Sequence, residues 1–125
     1  MIDFNNAKYL KLRSVPADKF AEVVSPMLVE GESLLYCFQS IRDYVLFTSH
    51  RLIVVNVQGV TGKKQDFTSL PYKRMQTFSV ETAGVIDLDC EIQIWFSALG
   101  KVHLEFLRGS DVKEICRLMS QGLLG

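Results

Sequence analysis

The stretch Asp87-Leu88-Asp89-Cys90-Glu91-Ile92-Gln93-Ile94-Trp95-Phe96-Ser97 alternates without a break. Leu88, Cys90, Ile92, Ile94 and Phe96 take one set of alternate positions; Asp87, Asp89, Glu91, Gln93, Trp95 and Ser97 take the other. Successive side chains of an extended chain point to opposite faces, so this reads as a strand with one buried and one outer face. The apolar face resumes at Val102, Leu104 and Phe106, after Ala98-Leu99-Gly100. Residues opposite each other in an antiparallel hairpin share a face, which excludes a two-residue turn at Leu99-Gly100. A three-residue loop pairs Phe96 with Val102, Ile94 with Leu104 and Trp95 with His103. It also gives Gly100 the left-handed position such loops require.

Outward from this hairpin the same rhythm continues. Leu34 to Ser40, Tyr44 to Ser49 and Leu52 to Val57 are rich in aromatic and β-branched residues and read as three successive strands. Gln65 to Leu70 and Gln76 to Thr82 are shorter candidates on either side of Pro71. The two ends of the chain differ. Phe20, Val23, Val24, Met27 and Leu28 have helical spacing, with Pro16 suited to a first turn and Pro26 ending the helix near Ser25. Ser110 is a candidate N-cap, Asp111 falls in the first turn, and Val112, Ile115, Cys116, Leu118 and Met119 form an apolar stripe ended by Gly122. The expected order is a short helix, about seven antiparallel strands and a C-terminal helix. One apolar face on such a sheet must be covered. Closing the sheet into a small barrel covers it and removes the edges, with the last helix capping an open end.

At 125 residues the chain has room for one compact core. Fourteen Lys and Arg balance fourteen Asp and Glu. A zero sum weighs against holding nucleic acid or anionic membrane by global charge, so no nucleic-acid partner is expected. Cys37, Cys90 and Cys116 are odd in number and far apart, which argues against a disulfide scaffold or zinc ribbon and for buried thiols in a reducing compartment. Met1 to Asn6 lacks a basic stretch followed by an apolar one, and no segment approaches the ~20 apolar residues of a spanning helix. A cytoplasmic location is expected.

Several short stretches, taken as a set, point further. They are Ile41-Arg42-Asp43-Tyr44, Phe47-Thr48, Arg51-Leu52-Ile53, Val57-Gln58-Gly59, Thr61-Gly62-Lys63-Lys64, Leu70-Pro71-Tyr72, and Phe78 to Gly84 with Asp87-Leu88-Asp89. From about Glu30 to Leu118 the chain resembles the bacterial pleckstrin-homology-like family of small single-domain proteins. The resemblance implies a mainly-β pleckstrin-homology-like barrel of about seven strands with a C-terminal helix. Residues 1–30 would be an N-terminal helical extension and 31–125 the domain. It also implies no enzymatic activity and ring-forming homo-oligomers, with the pentamer as the associated form.

Candidate sites follow from chemistry. Gly59-Val60-Thr61-Gly62-Lys63-Lys64 lacks the spacing of a phosphate loop, and a strand entering it would exclude an RNA-binding G-x-x-G clamp. Lys63, Lys64, Lys73 and Arg74 are the candidate anion-binding residues, and they lie in different connections. The connection Ser40-Ile41-Arg42-Asp43 has a single Arg beside an Asp, which counts against phosphoinositide recognition. Asp87, Asp89 and Glu91 are ~7 Å apart along one strand face, too wide for joint ligation of one cation. They, with Arg42, Asp43, Arg51 and Trp95, suit contacts between subunits, because exposed aromatics are enriched at interfaces and cross-subunit charges set register. His50 and His103 have no nucleophile partner by motif. The reading is a non-enzymatic interaction module, with no catalytic, cofactor or metal site, that self-assembles through sheet edges and outer-face residues and binds a protein partner. An unclosed edge beside Tyr44–Ser49 or Gln76–Thr82 would pair with another copy. The alternative is a peripheral phosphate- or anionic-lipid-binding module using the loop lysines.

Overall fold

A computed structural model describes residues 1–82, 88–110 and 112–125; Asp87 and Asp111 lie outside them. Eight strands form one sheet: β1 (Tyr9–Val15), β2 (Leu34–Gln39), β3 (Tyr44–Thr48), β4 (Arg51–Gln58), β5 (Lys64–Pro71), β6 (Thr77–Thr82), β7 (Leu88–Phe96) and β8 (Gly100–Leu107). Between β1 and β2 a short helix, α1 (Ala21–Val24), is flanked by 3-10 turns at Ala17–Phe20 and Ser25–Met27. A longer helix, α2 (Val112–Leu124), closes the chain.

The strand order is β5-β4-β3-β2-β1-β8-β7-β6. This corrects the expected barrel: β5 and β6 are the two ends of an open sheet and do not pair with each other. The apolar face is covered by side chains instead of closing hydrogen bonds. Val112, Ile115 and Met119 of α2 join the inner residues of both halves of the sheet in one core, and so do Ile2 and Phe4. The N-terminal segment is tied to β5, where the Ile2 N–H donates to Thr68 Oγ1 at 3.3 Å. Burying two such side chains contributes on the order of 1.5–3 kcal/mol each.

The eighth strand lies within the thirty residues expected to be a helical extension. β1 sits between β2 and β8, and its two ends serve different neighbours. Tyr9 and Leu12 pair parallel with Leu104 and Phe106, whereas Arg13 to Val15 pair antiparallel with Gln39 to Cys37. The register shifts between Tyr9 and Leu12, and Lys11 there adopts a φ of +54°. A left-handed conformation costs a side-chain-bearing residue about 1 kcal/mol, and here it re-aims the strand from one half of the sheet to the other.

β3 is buried along its whole length because both its faces are covered. Val45 and Phe47 face the main core, while Tyr44 and Leu46 join Val24, Cys37, Ile53 and Val55 in a second cluster. The α1 region supplies the cover: Phe20 stacks on Tyr44 with ring centres 3.8 Å apart, and Met27 and Leu28 pack alongside. Of the expected helical stripe, Val23 alone is exposed.

The β7–β8 hairpin has the expected faces but a register two residues away from expectation. Phe96 lies opposite Gly100, Ile94 opposite Val102, and Trp95 opposite Lys101 instead of His103. A slip of two keeps every side chain on its face, so alternation alone does not distinguish the two pairings. Gly100 has the expected left-handed φ, +85°.

Helix α2 continues through Gly122, where it was expected to stop. A Cβ at Gly122 would lie 2.4 Å from Cβ of the buried Tyr72, so glycine is what lets the helix approach the turn after β5. Gly122→Ala gains about 1 kcal/mol of helix propensity but forces apart two packed elements, at about 1–3 kcal/mol. Thermal unfolding is expected to show a net loss of stability, and a raised melting temperature would refute the close-approach account.

Candidate functional site

Three of the charged residues singled out from the sequence, Arg42, Asp43 and Arg51, are engaged inside the chain. The Arg51 guanidinium donates from Nε to Glu32 Oε2 at 2.9 Å and from Nη2 to Glu32 Oε1 at 3.0 Å. Nη2 also reaches the Met27 carbonyl at 2.6 Å, and Nη1 reaches Ser69 Oγ at 3.1 Å. The Thr48 hydroxyl donates to Glu32 Oε2 at 2.6 Å, and the Val29 N–H to Oε1 at 3.0 Å. Burial pushes the Glu32 carboxyl up, but the hydrogen bonds from Arg51, Thr48 and Val29 and the Arg51 charge outweigh it and hold the pKa at about 2.

Arg42 and Asp43 perform a second internal task. The Arg42 guanidinium donates to the Gly59 carbonyl, and Asp43 Oδ1 accepts the Val57 N–H at 2.8 Å. Together they tie the β2–β3 turn to the end of β4 and the loop after it. Strand β4 runs straight into that loop, which excludes the G-x-x-G clamp. Lys63 and Lys64 are exposed at the start of β5, and Lys73 and Arg74 are exposed beyond its end. An eight-residue strand separates the two pairs by about 23 Å. The four cations therefore do not converge.

The outer face of β6, β7 and β8 holds what remains. Trp95 is 47% exposed, between Thr77 of β6 and Lys101 of β8. Asp89 is half-buried on β7. β6 is the end strand, and its inward-register residue Val80 is itself 40% exposed. Of the two edges named from the sequence, Gln76–Thr82 is at a sheet end, whereas Tyr44–Ser49 lies between β2 and β4 and is no edge. The same outer face brings together Glu91, His103 and Glu105, a grouping the sequence reading missed. The two-residue difference in hairpin register is the cause, for with Glu91 set opposite Glu105 the cluster follows at once.

Nucleophile chemistry has little support. Ser49 Oγ lies 2.8 Å from His50 Nδ1, a contact the motifs did not foresee, but that hydroxyl also accepts the Ser33 N–H at 3.0 Å. Among the described residues, no carboxylate pairs with His50 to orient it. Burial pushes the Cys37 and Cys90 thiols up to about 12, so neither is a thiolate near neutral pH. Among the described residues no helix is long and apolar enough to cross a membrane.

Residues 3–123 match the family model for the bacterial PH domain. Two proteins of Bacillus subtilis (strain 168) are similar in sequence. The uncharacterized protein YjqA is 43% identical over 101 residues, spanning 79% of this chain and 81% of that one. The uncharacterized protein YozO is 27% identical over 110 residues, spanning 88% and 95%. Among solved structures, a DUF1696 family protein with a pleckstrin-homology domain from Shewanella loihica PV-4 superposes with a TM-score of 0.78 at 36% identity, covering 90% of this chain and 97% of that one. A pleckstrin homology domain from Shewanella amazonensis SB2B gives 0.65 at 40% identity, covering 96% and 94%.

The Glu32 network makes a prediction for stability. The folded carboxyl titrates below its ordinary value of 4.5, so its contribution is complete above that pH and is lost as pH falls toward 2. Arg51→Ala strands a buried carboxylate and is expected to cost about 3 kcal/mol at pH 7. Urea unfolding at pH 7 and pH 3 should show the gap between wild type and variant narrowing in acid; a constant gap would contradict the assignment.

Proposed function

The chain belongs to the bacterial PH-domain family, and on that premise we propose that this non-enzymatic interaction module assembles with copies of itself through the free edge of β6. The observation that carries the reading is that β6 ends the sheet with Val80 exposed, while Trp95, opposite Thr77 of β6, is exposed on the other face of the sheet. An end strand presents a row of unpaired N–H and C=O groups that a second strand can satisfy. Trp95 supplies a large rigid contact of the type that dominates interface energies.

β6 of one copy against β5 of the next is a heterologous contact, which propagates head to tail and closes as a ring when the rotation allows. A ring, with five copies as the form the family resemblance implies, is therefore the assembly proposed, and its outer surfaces would receive a protein partner. Of the candidate interface residues, Arg42, Asp43 and Arg51 are engaged within their own chain. Among the described candidates, Trp95 and Asp89 are thus the ones offered to a neighbour. The alternative, an anion or lipid-headgroup site made by Lys63, Lys64, Lys73 and Arg74, lacks comparable support because the two pairs stand at opposite ends of β5.

Multi-angle light scattering at micromolar concentration is expected to give several times the mass of one chain. Trp95→Ala should weaken assembly at least tenfold. Val80→Lys, which places a charge on the edge, should shift it to monomer. Raising the salt should change little, because backbone hydrogen bonds along the edge and the Trp95 indole, not ion pairs, are the main proposed contacts. A clean monomer for the unaltered chain would end the proposal.

A further inference from the structure

On the outer side of the β7–β8 hairpin, Glu91 and Glu105 are directly opposite in register. His103, opposite Gln93, is the next outward residue along β8. One ligand atom from each of Glu91, His103 and Glu105 can be chosen so that all lie within 4.8 Å of one another. His103 Nε2 is 3.9 Å from Glu91 Oε2. Like charges directly opposite on neighbouring strands repel, and Glu81 of β6, opposite Glu91, extends the row to three carboxylates. Among the described residues no Lys or Arg forms an ion pair with any of the three glutamates. Lys8 and Lys101 line a cavity of about 300 Å³ with His103 but do not reach the carboxylates.

The geometry points to a surface site for a divalent first-row transition-metal ion, zinc in the first instance, held by Glu91, His103 and Glu105. An imidazole nitrogen with two carboxylate oxygens suits zinc and its neighbours, whereas calcium and magnesium favour oxygen-only sets. Tetrahedral ligand atoms at zinc stand about 3.4 Å apart. The three side chains come from one hairpin whose register fixes their starting points, so side-chain rotation alone is needed to draw them in. The ion would neutralise the opposed carboxylates and leave an outward position for water or an external ligand. All three ligands come from one chain.

The test uses the full chain stripped with chelator, titrated with zinc chloride by calorimetry and with cobalt chloride by visible absorption. One ion per chain is expected, with a melting temperature that rises with zinc and a cobalt spectrum free of thiolate charge transfer. His103→Asn and Glu105→Gln should each weaken zinc binding at least tenfold. In chelator, Glu105→Gln should melt higher than the unaltered chain, because one of two opposed charges is gone. Circular dichroism checks that each variant is folded, and either one suffices to decide. No binding of either ion, undiminished binding in a folded variant, or a thiolate band from Cys37, Cys90 or Cys116 would overturn the proposal.

Discussion

The Glu32–Arg51 pair is the contact through which the parts of the β2–β5 half are held at fixed positions. Its carboxylate accepts from Val29 in the segment after α1 and from Thr48 at the end of β3. Its guanidinium reaches Met27 on one side and Ser69 of β5 on the other. The Thr48 carbonyl in turn accepts the hydroxyl of the buried Tyr72, the residue that α2 crosses at Gly122. One ion pair thus links the helical cover, the β3–β4 turn, β5 and the C-terminal helix. Removing either partner leaves the other uncompensated, so the pair acts mainly as a constraint on arrangement and less as a source of net stability.

What the sequence discloses divides along physical lines. Period-two alternation reveals which residues face inward, and it placed Trp95 on the outer face because that property is local. Pairing is a relation between strands, and a shift of two residues leaves the alternation unchanged while moving Trp95 from His103 to Lys101. β1 was missed for a different reason. Tyr9 and Leu12 both point into the core but are three apart, because the bend at Lys11 interrupts the alternation. Tyr9-Leu10-Lys11-Leu12 therefore matches neither a strand nor a helix. Glu32 and Arg51, nineteen positions apart, carry no motif, and Arg51 read as a free surface charge.

The same distinction bears on function. Three of the charges that look available in the sequence, Arg42, Asp43 and Arg51, are internal fasteners. The outer face of β6 to β8 is where unspent chemistry collects: an exposed indole, an end strand and opposed carboxylates beside an imidazole. A family defined by a common sheet and helix can differ between members on such a face without disturbing the core, since outward residues of these strands contribute little to the packing.

The placement of β1 has a consequence for how the chain is made. Tyr9 and Leu12 are synthesised more than ninety residues before their partners Leu104 and Phe106. The β2–β5 half consists of hairpins between sequence neighbours and can form during synthesis, with Arg13 to Val15 joining β2. The β8 side of β1 must wait for release of the C-terminal third. Such distant pairing slows folding and prolongs exposure of apolar surface. A nascent chain of this protein would therefore hold one sheet half folded and its first strand half paired, and would complete its core only once β8 has emerged.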